Sequence, residues 1–209
     1  MKKLLFLLLL LPGMALSAQK SEEKLVRKSF DAYKKAILND RGEEAVKYVD
    51  SRTVKYYDDM AVLVKNADSA SVAGLSLMDR LMVFSIRHRA PQEEIPGFDG
   101  RKLLVFAIQS GMVGKNSVAE NSIGDVTIQG DFAKGQFVRM KEPTPLFFHF
   151  YKEEQVWKLD LTALFPISAF AFQKMVKDSG QQENEYLFFL LEMLTGRKPG
   201  PEIWQPAAN

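Results

Sequence analysis

Cysteine is absent from the 209-residue chain, and histidine occurs only as His88 and His149. Without cysteine there is no disulfide framework, no thiol nucleophile, no Cys-ligated zinc or iron–sulfur cluster and no attachment point for a lipid anchor. Two histidines are too few for a His-rich metal site, and neither a metal nor a cofactor is expected. An excess of one charge is missing too, with 28 Lys+Arg against 26 Asp+Glu. Such an even balance lacks the basic footprint of a nucleic-acid binder, and no nucleic-acid partner is expected. The apolar run over 4–11 falls well short of the ~20 residues that a membrane span needs. No glycine cluster forms a phosphate loop, and neither G-x-S-x-G nor H-E-x-x-H occurs.

What is present begins with an address. Lys2 and Lys3 precede that apolar run, and Pro12-Gly13 and the small residues Ala15 to Ala18 follow it. A basic start, a short apolar centre and a small-residue exit have the layout of a secretory signal. Residues 1–18 are therefore expected to be a leader, and the protein to be exported, soluble, and periplasmic or secreted. Loss of Lys2 and Lys3 with the leader would leave 26 acids matched by as many lysines and arginines.

Helical spacing dominates up to residue 90. Leu25, Val26, Phe30, Tyr33, Ala36 and Ile37 form one apolar stripe, with Ser21 as its expected N-cap, and Asn39 to Gly42 ends it. A short helix carrying Ala45, Val46 and Val49 is expected next, then one over 51–65 and one over 72–89. The last must stop before Pro91, because proline disfavours helical geometry in the residue before it.

The period then changes. Strands are expected over 102–108, 118–128, 132–140, 145–151 and 156–161, with tight turns at Gln129-Gly130-Asp131 and at 152–155. Helices are expected again over 168–177 and 185–194, followed by an extended tail over 199–209. Helices grouped before and after an antiparallel meander define the α+β class, here as one domain over 19–198.

The segment Phe147-Phe148-His149-Phe150-Tyr151, a charged turn, and Val156-Trp157-Lys158-Leu159-Asp160-Leu161 resemble the closing hairpin of the nuclear-transport-factor-2-like (cystatin-like, α+β roll) superfamily. The order of elements over 21–165 is similar to that family as well. The resemblance implies a curved sheet wrapped on helices, with a cone-shaped cavity at its open end. It implies no particular chemistry, since such rolls serve enzymes, carriers and binders alike.

His149 is the sharpest chemical candidate. Strand alternation sets Phe147, His149 and Tyr151 opposite Leu146, Phe148 and Phe150, and it sets Lys158 and Asp160 opposite Trp157 and Leu159. One register faces His149 with Asp160, a pair able to work as a general base and its orienting carboxylate. A shift by two residues faces it with Lys158 instead. The plainer alternative is a half-exposed histidine on the outer sheet face. In Tyr56-Tyr57-Asp58-Asp59, Tyr57 is expected to pack while both aspartates face solvent. Arg87, Arg89 and Arg101 could together form an anion site, although cations closing a helix are explained by its dipole alone.

Tyr57, Phe147, Tyr151 and Trp157 are the candidate ligand-binding residues. The final helix is apolar on more than one face, which marks a helix that is buried or meets a partner. Burial against the sheet is the first expectation for it, and a homodimer through Glu185 to Leu194 is the second. The preferred function is non-catalytic: binding of an apolar small molecule or a protein partner by the concave sheet face and the late helices. The alternatives are an acid–base enzyme of isomerase or dehydratase type using His149 and Asp160, and a periplasmic lipid carrier.

Overall fold

Helix α1 (Leu11–Leu38) buries Val26, Phe30, Tyr33 and Ile37 at spacings of three and four residues, the signature of one helical face against a core. It is part of a computed structural model that describes residues 11–113 and 115–207. Most of the apolar run over 4–11 lies outside the described residues. Ser21 is not a cap, because it lies well inside α1. Met14, Ala15, Leu16 and Ala18 upstream are good helix formers. The helix ends on Asp40 at φ 56°, with Arg41 N–H donating to the Ala36 carbonyl.

Short polar side chains start the next helices. Asp50 caps α3 (Ser51–Asn66), which follows α2 (Gly42–Ala45) and a 3-10 turn over Val46–Tyr48. Asp68 caps α4 (Ser69–Ala73), and Ser76 caps α5 (Leu77–Arg89). The single helix expected over 72–89 is thus two, since Ser76 takes the Asp79 N–H and opens a new helix.

The expected strand over 102–108 is a helix, α6 (Gly100–Gln109), capped by Asp99. A continuous apolar run reads alike as a buried strand or a buried helix, so periodicity does not separate them. Leu103, Leu104, Ala107 and Ile108 are all buried. Contact with α3 decides it. A Cβ at Gly100 would lie 2.3 Å from the Val54 carbonyl oxygen, so only glycine lets the α6 terminus sit on α3. Asp58 is likewise no solvent-facing acid, because its carboxylate accepts the Gly100 N–H at 2.5 Å.

After α7 (Asn116–Ala119) the chain forms four antiparallel strands in sequential order: β1 (Asn121–Gln129), β2 (Phe132–Arg139), β3 (Glu142–Glu153) and β4 (Val156–Asp160). With helices before and after this curved sheet, the protein is α+β. Two-residue turns join the strands, and all carry positive φ: Gly130 in the first, Met140 and Lys141 in the second, Glu154 and Gln155 in the third.

One sheet face packs on α1. Phe150, Trp157 and Leu159 are fully buried there, and the Phe30 and Phe148 rings lie 4.9 Å apart. Glu22 ties α1 to the same hairpin, accepting from Trp157 Nε1 at 2.7 Å and Lys152 Nζ at 3.0 Å. The start of α3 is joined to β4 by Asp50 N–H to the Leu159 carbonyl and by Leu161 N–H to Thr53 Oγ1.

Helices α8 (Phe165–Ser179) and α9 (Glu183–Thr195) end on glycines at positive φ, Gly180 and Gly196. Both pack on α5, so the expected burial of the last helix on the sheet is not what forms. The tail is not simply extended either. Pro201–Trp204 makes a 3-10 turn that buries Ile203 and sets Trp204 4.7 Å from Phe84. Among the described residues, no helix is long and apolar enough to cross a membrane.

Candidate functional site: the outer sheet face and the α8–α9 surface

The pleat and the register place His149 opposite Asp160 rather than Lys158. His149 is half-buried on the outer sheet face, edge-on to Phe132 at 5.3 Å. Burial lowers its pKa and the Lys134 ammonium lowers it further, while Asp160 pulls the other way. Asp160 is buried and already occupied. Its Oδ1 accepts from Thr162 N–H at 2.9 Å, Thr162 Oγ1 at 2.5 Å and Ala163 N–H at 3.2 Å. Those bonds tie Asp160 to the first residues of the 3-10 turn over Thr162–Leu164, and the hydrogen bonds of the described residues include none from His149 to Asp160. One carboxylate oxygen is therefore engaged by the turn that follows β4, and among the hydrogen bonds of the described residues none orients the imidazole.

The four candidate ligand-binding side chains occupy two different places. Tyr57 and Trp157 are buried in the core, and burial pushes the Tyr57 phenol up to about 12. Phe147 and Tyr151 stand with His149 on the outer sheet face, where the Arg52 guanidinium lies 3.5 Å above the Tyr151 ring. Arg52 is held there by Asp50 at 3.1 Å. The three arginines do not converge on an anion site. Arg87 is buried on backbone carbonyls, Arg89 donates to the Ser110 carbonyl, and Arg101 is exposed on α6.

The concave face, the expected place of a cavity, holds α1 against Phe148, Phe150, Trp157 and Leu159. More than half of the exposed large apolar side chains among the described residues lie elsewhere, on α8 and α9. On α8 and α9 only Val176, Leu187 and Leu191 are buried. Ile167, Phe170, Met175, Phe189, Met193 and Leu194 are between 46% and 68% exposed. Both helices contact α5, and Tyr186 of α9 meets the Phe172 ring of α8 and the Phe189 ring of its own helix. Phe188 packs inward, 5.7 Å from Phe84, so its neighbour Phe189 is the exposed aromatic of α9.

This surface is apolar, with polar ends. Lys174 pairs with Asp178 on α8, whereas Glu185, Arg197 and Lys198 are exposed and make no ion pair among the described residues. The sequence signal for it is the all-round apolarity of the last helix. Nothing in the sequence points to Ile167, Phe170 and Met175 as exposed, because on α8 they share a helix with inward-facing Phe172 and Val176.

Comparison with family models, with curated proteins and with solved structures gives no match to this chain.

Proposed function

We propose that this is an exported, non-catalytic binding protein that docks a protein partner through the outward face of α8 and α9. One observation carries the proposal: six large apolar side chains stand in solvent on two adjacent helices. Single exposed apolar residues are ordinary, but a contiguous patch of them marks an interaction surface. Phe and Met are also the residue types enriched where protein interfaces bury their centres. Full burial of one such side chain is favourable by roughly 1.5–3 kcal/mol, so a few of them suffice to hold a partner. The order of helices, antiparallel meander and late helices supports the nuclear-transport-factor-2-like roll as the scaffold, with α8 and α9 as its addition.

A photo-crosslinking amino acid at Phe170 or Phe189 tests this in the cells that make the protein. A discrete protein adduct is expected at both positions and none at Val62, an exposed apolar position on α3. Loss of the Phe170 adduct in a Met193→Glu background would assign both sites to one interface. Equal labelling at all three positions, or none, would overturn the proposal.

A further inference from the structure

The two edges of the sheet are closed to different extents. Beside β4, Val49 bridges to Leu159 and the Asp50 N–H donates to the Leu159 carbonyl, so the segment leading into α3 covers that side. The other edge is β1. Its first half is closed by α1, because Lys34 Nζ donates to the Asn121 carbonyl at 2.8 Å and Arg27 Nη1 to the Ile123 carbonyl at 2.7 Å.

The second half is open. Gln129 faces Phe132 across a two-residue turn, and the pair that closes such a turn is hydrogen-bonded to itself. Alternation then turns the backbone N–H and C=O of Ile128 and Val126 away from β2. The register shift between Ile123 and Val126 keeps Ile123 and Asn121 facing outward as well, in agreement with their bonds to Arg27 and Lys34. Among the described residues the outward backbone groups of Val126 and Ile128 have no partner. Edge strands are ordinarily guarded by charge or proline, and Val126-Thr127-Ile128-Gln129 carries neither.

Unpaired backbone groups at alternate residues call for an extended strand, and the shortness of the opening selects which one. A long strand would run into Arg27 and the bulge at one end, while at the other end β1 has already turned at Gly130. We propose that this edge pairs with β1 of a second copy of the chain, antiparallel about a two-fold axis at Thr127. In a two-fold contact the same patch serves on both sides. Val126 then bonds to Ile128 of the second copy and Ile128 to its Val126, which uses every open group of both. Each bulge falls opposite the other copy's Gly130 turn, where the chain leaves the sheet, so the obstacles do not meet. Thr127 faces Thr127 and Val126 faces Ile128, both favourable cross-strand pairs. Asp125 faces Gln129 and Asp131 faces Ile123, so no strand residue meets its own charge across the seam.

The absence of cysteine makes the register directly testable in the full chain. Cα atoms of a non-hydrogen-bonded antiparallel pair lie about 4.5 Å apart, within reach of a disulfide. Oxidation of Thr127→Cys is therefore expected to give a linked dimer. Gln129→Cys is expected to give none, since its two copies lie about 13 Å apart along the strand at ~3.3 Å per residue. In sedimentation the unaltered protein is expected to dimerise as its concentration rises. Ile128→Pro removes one edge donor per copy without touching the ladder to β2, and is expected to weaken the dimer about tenfold. Thr127→Lys, at an exposed position, sets one ammonium against another across the axis and is expected to abolish the dimer. A monomer at every concentration would overturn the proposal, and so would a dimer indifferent to both changes. Linking of Gln129→Cys as readily as Thr127→Cys would overturn the register.

Discussion

The guanidinium of Arg87 reaches the carbonyl of Ile203 at 3.1 Å and joins the C-terminal turn to the middle of the molecule. Its other bonds go to Val64, Leu63 and Ala67 carbonyls at 3.0, 3.1 and 2.7 Å. Those carbonyls close α3, where a helix leaves its acceptors unpaired and its dipole negative. Among the described residues the buried cation thus has no carboxylate partner and is balanced by a helix end, while burial pushes its pKa down to about 10.

Arg87→Met should therefore destabilise the fold by about 2–4 kcal/mol, through carbonyls left buried without donors. Arg87→Lys should recover only part of this, because one ammonium cannot serve four diverging acceptors. Urea unfolding followed by tryptophan fluorescence is the measurement. Trp204 should shift toward the emission of exposed indole in Arg87→Met before the main transition, since its turn has lost that anchor.

Glu22 should give the protein an acid-sensitive limb. Hydrogen bonds from Lys152 and then Trp157 hold its carboxyl below its ordinary value of 4.5. A carboxyl lowered in the folded state stabilises it fully above the unfolded value, and that contribution disappears as pH falls through the folded one. Stability should accordingly decline below about pH 4.5, and Glu22→Gln should flatten that part of the curve. Thermal unfolding between pH 3 and 6 compares the two proteins.

Histidine titration by NMR is simple in a chain with two histidines. His149 should titrate below its ordinary 6.5, because burial and Lys134 outweigh Asp160. Lys134→Gln should move that titration upward. Since the folded form favours the neutral ring, this residue's share of stability is present above pH 6.5 and is lost as pH falls through the lowered value. His149→Asn should leave the α8–α9 adducts unchanged, which separates the sheet face from the docking surface.

The hairpin turns offer a gain. Glu154 and Gln155 sit at φ 50° and 63°, a region that ordinary side chains occupy at a cost. Glu154→Asn with Gln155→Gly suits that turn and should stabilise by about 0.5–1 kcal/mol. In a domain of this size the melting temperature should rise by a few degrees. No change would mean that contacts of the Glu154 or Gln155 side chain outweigh the backbone relief.

Alternation alone makes the two faces of the closing hairpin legible, with Phe147, His149 and Tyr151 on one side and Trp157 on the other. The pairing of His149 with Asp160 is one of two registers open to the sequence, and turn geometry chooses it: the two-residue turn at Glu154-Gln155 sets Glu153 opposite Val156. What Asp160 does there is not legible. One of its carboxylate oxygens accepts from Thr162 and Ala163, and that depends on the chain turning back at once into a 3-10 turn. The segment 102–108 reads as a strand for a related reason, since Leu103 to Ile108 is apolar throughout, and its helical form goes with the Asp99 cap and with packing of its start on α3 through Gly100.

The sequence by itself determined the α+β class, the helix start at Ser51, and the hairpin turns at Gly130 and within 152–155. Periodicity and short polar side chains act within a few residues of where they stand. It also determined that α9 carries apolar residues nearly all round. Only the tertiary structure decided which of them are covered. A side chain's burial depends on how many neighbouring elements reach it, and with α9 packed on α5 Leu187 and Leu191 are buried while Phe189 and Met193 stay in water.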